Sequence, residues 1–165
     1  MIKNYRRRVE IARFIRVLES FIGVKYYWPK IEIGEDPTSK PMAGNDDPIL
    51  GFDCSGLISE ACRSVGWIGG YERLSSDGFL NDNRFEKTND AINPGDILVY
   101  GRRLDDGTLD AYHVAACIDA YHIIEAGGGG RGTDTDKEAA ALNAFVRVRP
   151  IEWRRSERIA VLRKA

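Results

Sequence analysis

Ile11, Phe14, Ile15, Leu18 and Ile22 recur at the spacing of one helical face, and Gly23 follows where a left-handed cap belongs, which predicts an amphipathic helix over 2–22. Its Arg6, Arg7, Arg8, Arg13 and Arg16 alternate with Glu10 and Glu19, as on a solvated face rather than a membrane or cell-wall contact. Residues 29–50 hold Pro29, Pro37, Pro41, Pro48, Gly34, Gly44 and Asp46-Asp47 without either period, and read as a long ordered loop. A second helix is predicted over 54–65, with Leu57, Ile58, Ala61, Cys62 and Val65 on one face and Gly66 as its stop. Short strands follow at 96–100, after the Pro94-Gly95 turn, and at 113–118, 122–126, 144–148 and 159–162. Helices first and strands later predict an α+β domain with a mainly antiparallel sheet.

A length of 165 residues with 43% hydrophobic positions suits one domain with its own core, spanning 1–165. With 24 Lys+Arg against 25 Asp+Glu the net charge is −1, so no nucleic-acid partner is expected. No apolar run has the roughly 18 residues of a membrane span, and the charges in MIKNYRRRVEIARF interrupt what would be a signal peptide. The chain is therefore expected to be made in the cytoplasm, with no stable membrane insertion. Three Cys make no disulfide framework, which leaves a thiol for chemistry.

Cys54 stands at the start of the second predicted helix, where the helix dipole and unpaired backbone N–H groups favour a thiolate. Asp53 and Ser55 flank it as polar helix-entry residues, and Gly56 allows close packing. Cys62 falls on the apolar face, where a free Cys behaves as a small hydrophobe. A Cys nucleophile needs a base, and the chain has two histidines, His113 and His122. If 113–118 and 122–126 form a hairpin with a three-residue loop at Asp119-Ala120-Tyr121, Ile118 faces His122 and Ala115 faces Glu125. Alternation then puts His113 and Glu125 on one face, roughly 7–8 Å apart on a diagonal, and turns His122 away. In that register His113 exchanges a proton with Cys54 while Glu125 orients the imidazole, and backbone N–H groups at the helix start receive an oxyanion. A two-residue loop would break this pairing.

No metal is expected, since neither C-x-x-C nor H-x-x-x-H occurs and His113 and Cys117 would lie roughly 13 Å apart on a strand. Asp105-Asp106-Gly107 reads as a turn. Gly127 to Gly130 lacks the Gly-Lys-Ser/Thr of a phosphate loop and reads as a flexible loop, so no cofactor is expected.

The run Gly51-Phe52-Asp53-Cys54-Ser55-Gly56-Leu57-Ile58, followed by Pro94-Gly95-Asp96-Ile97-Leu98, His113-Val114-Ala115-Ala116 and Glu125-Ala126, resembles the NlpC/P60 family of papain-like cysteine peptidases. Gly23-Val24-Lys25-Tyr26-Tyr27-Trp28 is similar to the family's G-x-x-Y-x-W segment, so the resemblance covers 23–150, with 1–22 an added helix and 151–165 a strand extension. It implies hydrolysis of amide bonds in bacterial peptidoglycan stem peptides, most often between D-glutamate and a diamino acid. Cys54 would be the nucleophile, His113 the base and Glu125 the orienter. It further implies that Tyr26 lies at the cleft with its hydroxyl near the oxyanion or substrate, that Asp53 meets a substrate ammonium, and that Ser55 belongs to the same substrate-binding edge. Two departures stand out: Glu125 occupies a position where the family most often has His, and Pro29-Lys30 stands where many members carry a Gly pair. The stretches 125–130 and 144–150 look similar to phage-associated members. A wall enzyme without its own export signal would reach the wall by lysis, a phage particle or a secretion machine. The competing expectations are an amidase or acyltransferase acting on another amide or ester, and a catalytically silent binding module.

Overall fold

The computed structural model describes residues 2–30, 34 and 47–165, so most of the predicted loop, 31–33 and 35–46, lies outside the described residues. Helix α1 (Ile2–Ser20) buries Phe14 and Leu18 completely and packs Ile11 and Ile15 beside them, with the Phe14 ring stacked on Trp67 at 4.6 Å. Ile22 falls past the end of the helix and is exposed, while Gly23 takes the left-handed conformation expected of it, at φ +89°. Helix α2 (Cys54–Ser64) is buried over most of its length and packs on α1 and on the sheet. No helix among the described residues is long and apolar enough to cross a membrane.

The remaining elements are α3 (Ser76–Asn81), β1 (Phe85–Lys87), β2 (Ile97–Arg103), β3 (Leu109–Cys117), β4 (His122–Gly127), α4 (Asp136–Ala141), β5 (Phe145–Pro150) and β6 (Arg158–Lys164). The strands form one antiparallel sheet in the order β1-β6-β2-β3-β4-β5. The segment 151–165, expected as a strand extension, contains β6, which is bonded to β1 on one side and β2 on the other. Local alternation says nothing about which neighbours a strand finds. The predicted strands are present, whereas β1, α3 and α4 are short enough to carry too little periodicity to read. Helix α4 does carry a capping box, Thr135 with Glu138, which the sequence displays as T-x-x-E.

Both sheet faces are covered. Ile97, Val99, Val114, Ala116, Ile124, Ala126, Val146 and Leu162 join the main core under the helices. Leu98, Tyr100, Ala115, Cys117 and Ile123 form a second, smaller cluster capped by Ile92, Ile151 and Trp153. Between Tyr100 and Gly101 the β2–β3 register slips, so that Tyr100 faces His113 but Gly101 faces Ala111, and Tyr112 is the extra residue of a bulge. Gly101 is required there, because a Cβ would come 2.1 Å from the Asp110 carbonyl oxygen.

Candidate active site

The β3–β4 hairpin has the predicted register. Ala116 pairs with Ile124 and Cys117 with Ile123, and the Ile118 N–H donates to the His122 carbonyl at 3.0 Å around the three-residue loop. The β3–β4 pairs end at Ala116 and Ile124, while β4 continues along β5 through Glu125↔Arg147 to Gly127↔Phe145. At this parting of the strands His113 and Glu125 meet, with His113 Nε2 2.6 Å from Glu125 Oε2 and both residues buried. His122 is on the outside, its Nδ1 bound to the Asp119 carboxylate at 3.0 Å.

Cys54 is the first residue of α2, brought to His113 by the packing of that helix on β3 and β4. Burial pulls the His113 pKa down, but the negative charge of Cys54, a hydrogen bond with its sulfur and the bond and charge of Glu125 outweigh this, raising it to about 9. Burial likewise pushes Glu125 up, yet the bonds and charges of His113 and Arg149 win and hold its carboxyl below the ordinary range. Cys62, fully buried on the inner face of α2, has its thiol pushed up by burial, and Cys117, bonded to the Asp119 carbonyl, is pushed up to about 12, first by burial. These two thiols are held in the unreactive form.

Asp53 caps α2, its Oδ1 accepting from the Gly56 N–H at 2.7 Å, and the same oxygen receives the Arg73 guanidinium at 2.6 Å. Asp53 is expected to meet a substrate ammonium, and in this structure that place is taken by Arg73. The Asp53 carboxylate is buried and already matched by a cation, which an ammonium would have to displace. Ser55 is drawn into the same network, its hydroxyl 3.4 Å from Asp53 Oδ1 and 3.4 Å from Arg73 Nη2, and is buried.

Tyr26 is buried and near enough to Cys54 and Asp53 to feel their charge. Its hydroxyl pKa is raised, first by burial and then by the negative charges of Cys54 and Asp53 against the opposing charge of Arg73, so it remains a hydrogen-bond donor. The glycine run 127–130, which begins at the end of β4, lies close against the site. A Cβ on Gly129 would lie 2.2 Å from Tyr26 Cδ1, one on Gly127 would lie 2.7 Å from Glu125 Oε1, and Gly128 has φ +91°. The run lets backbone close over the site where a side chain would not fit.

Three residues of the site were not singled out from the sequence. Ser76, the first residue of α3, puts its hydroxyl 3.9 Å from the Cys54 sulfur, and its only local signal is the helix-entry pair Ser75-Ser76. Arg73 carries no signal at all. Arg149 donates from Nε to Glu125 Oε1 at 3.1 Å, and the alternation in Phe145-Val146-Arg147-Val148-Arg149 does show it sharing a strand face with Arg147. Among the described residues no group of three or more His, Cys, Asp or Glu side chains is arranged to hold a metal.

No protein-family model and no curated protein matches the sequence. Solved structures do. The P60 domain of a Mycobacterium avium paratuberculosis antigen aligns with a TM-score of 0.62 at 20% identity, over 100% of this chain and 99% of that one. The peptidoglycan hydrolase RipB from Mycobacterium tuberculosis aligns with a TM-score of 0.59 at 24% identity, over 94% of this chain and 65% of that one. RipD from Mycobacterium tuberculosis, described as a non-catalytic NlpC/p60 domain protein adapted to peptidoglycan binding, aligns with a TM-score of 0.55 at 20% identity, over 93% of this chain and 95% of that one. At these identities the likeness is one of architecture: the fold of this chain is the NlpC/P60 fold.

Proposed function

We propose that this protein is a cysteine peptidase that hydrolyses amide bonds in the stem peptides of bacterial peptidoglycan, with the bond between D-glutamate and a diamino acid as its target. The observation that carries this reading is the charge-coupled row of Cys54, His113 and Glu125, with His113 Nε2 held 2.6 Å from a buried carboxylate oxygen. Fold and motif order supply the substrate class, since RipB, with the same fold, is a peptidoglycan hydrolase.

With Nε2 committed to Glu125, Nδ1 is the ring nitrogen left to exchange a proton with Cys54. The thiolate attacks the amide carbon, and the oxyanion is received by N–H groups of the first turn of α2. His113, as imidazolium, gives its proton to the departing amine. It then takes one from the water that attacks the thioester, and Cys54 is released. Glu125 stays ionised throughout and stabilises the imidazolium. Tyr26, as a neutral donor beside the sulfur, would bond the substrate or the oxyanion.

RipD has this fold without catalysis, so a binding role is the second reading. Mass spectrometry of purified peptidoglycan after incubation with the protein separates the two. New free amino and carboxyl ends at the D-glutamyl bond, absent with Cys54→Ala, support the peptidase. Retention on the wall with no cleavage by the intact protein would establish the binding module, and cleavage of some other amide or ester, with peptidoglycan untouched, an amidase or acyltransferase.

A further inference from the structure

Glu125 stands where the resembled family most often has His, and that exchange poses an electrostatic problem. A neutral orienter adds no charge to the pair of Cys54 thiolate and His113 imidazolium. A buried carboxylate makes the trio net negative, which works against the thiolate. The fold contains an answer. We infer that Arg149, seated on Trp153, is a positioning residue that holds Glu125 as a fixed, charged acceptor for His113 and balances its charge. The inference rests on the proposed roles of Cys54, His113 and Glu125.

The β4–β5 register puts Arg147 opposite Glu125 and Arg149 opposite Ile123, two cations on the face that Glu125 shares. They do different things. Arg147 turns to the carbonyl oxygens of Gly127 and Asn143 and lies over the Phe145 ring at 4.4 Å. Arg149 reaches along the diagonal to Glu125 Oε1 at 3.1 Å, while its guanidinium lies 4.0 Å from the centre of the Trp153 ring. Among the described residues each carboxylate oxygen therefore has a partner of its own, Oε1 with Arg149 and Oε2 with His113. Pinning both oxygens sets the carboxylate plane and with it the ring of His113. Stacking on Trp153 removes the freedom a long side chain would otherwise lose on forming the bond. The groups facing Glu125 are His113 from β3, Tyr100 from β2, and Arg147 and Arg149 from β5, and His113 also faces Cys54 from α2. Taken as ions, Cys54, His113, Glu125 and Arg149 alternate in sign and sum to zero.

The test uses the full chain and needs no peptidoglycan: the rate of Cys54 alkylation by iodoacetamide, followed by peptide mass spectrometry from acid to alkaline pH, with thermal melting as the check on folding. Arg149→Gln is expected to move the acid limb of the profile upward by roughly one pH unit, because the negative charge of Glu125 is then left unbalanced beside the pair and works against the thiolate. Arg149→Lys keeps the charge but not the Nε bond or the flat stack, and should move it by less. In a Glu125→Gln background, Arg149→Gln should add little, since the residue it acts through is gone. An unchanged profile in folded Arg149→Gln overturns the inference, as does an equal shift in the Glu125→Gln background. If Arg149→Gln does not fold, Arg149→Lys carries the same decision. A protein that shows the shift but leaves peptidoglycan intact refutes only the substrate; one that cleaves peptidoglycan with a profile indifferent to Arg149 refutes only this role.

Discussion

His113 and Glu125 meet, 2.6 Å apart, where β3 and β4 have stopped pairing with each other and β4 pairs on with β5 alone. Two side chains on neighbouring strands of an intact ladder would stand side by side; the parting gives the carboxylate room to cross to the ring. The chemistry of the site depends on that gap, and the residues around it can be tested one at a time.

Cys54 is expected to be the most readily alkylated of the three cysteines. Cys54→Ala should abolish hydrolysis and leave the fold intact, since Asp53, not Cys54, caps α2. Cys62→Ala, which removes a fully buried thiol, should cost stability but keep activity in the folded fraction. Turnover assays on the purified variants read both, and full turnover by Cys54→Ala would remove it as nucleophile.

His113→Ala should lower kcat/KM by several orders of magnitude, whereas His122→Ala, which loses surface contacts with Asp119 and Tyr121, should keep most of it. Proton NMR adds a second reading. The His113 ring should titrate near 9 rather than 6.5, and its midpoint should fall in Cys54→Ala or Glu125→Gln, because the raising influences come from those two residues. A group raised on folding stabilises the native state below its unfolded pKa, and that contribution is lost as pH rises through the folded value. Stability from this source is thus full below about 6.5 and gone above about 9, and the alkaline decline should flatten in Cys54→Ala.

Glu125→Gln keeps the shape and some hydrogen bonding but removes the charge. The basic limb of the pH–rate profile should move to lower pH and the peak rate should fall roughly ten- to a thousandfold. Glu125→His should recover part of the rate. An unchanged profile would leave Glu125 with a structural role only.

Gly129→Ala should be far more damaging than its size suggests. The new Cβ meets the Tyr26 ring at 2.2 Å, so the ring or the backbone must move, at a cost of about 1–3 kcal/mol with loss of activity. Gly130→Ala, which meets nothing within 4 Å, is the matched control and should stay near wild type in melting temperature and rate.

Asp53→Ala removes both the α2 cap and one partner of Arg73, and should destabilise by about 1–3 kcal/mol, the range for losing a cap and a buried charged hydrogen bond. Asp53→Asn retains a cap acceptor and should cost less, as urea unfolding would show. If Asp53 instead served chiefly to bind substrate, Asp53→Asn would raise KM and leave stability unchanged.

Local sequence determined what depends on near neighbours: the helical periods of α1 and α2, Cys54 at a helix start, and a three-residue hairpin loop whose count alone sets Glu125 on the face of His113. These follow from periods of 3.6 and 2 and from turn geometry, which act over a few residues. Only the tertiary structure decided the contacts between distant segments. Arg73 closes on Asp53 from 20 residues away, Arg149 on Glu125 from 24, and Gly129 beds against Tyr26 across most of the chain. β6 enters the sheet between β1 and β2, two strands distant from it along the chain. A cation that balances a buried carboxylate is chosen by whichever strand or loop packs beside it, and no period along the chain records that choice.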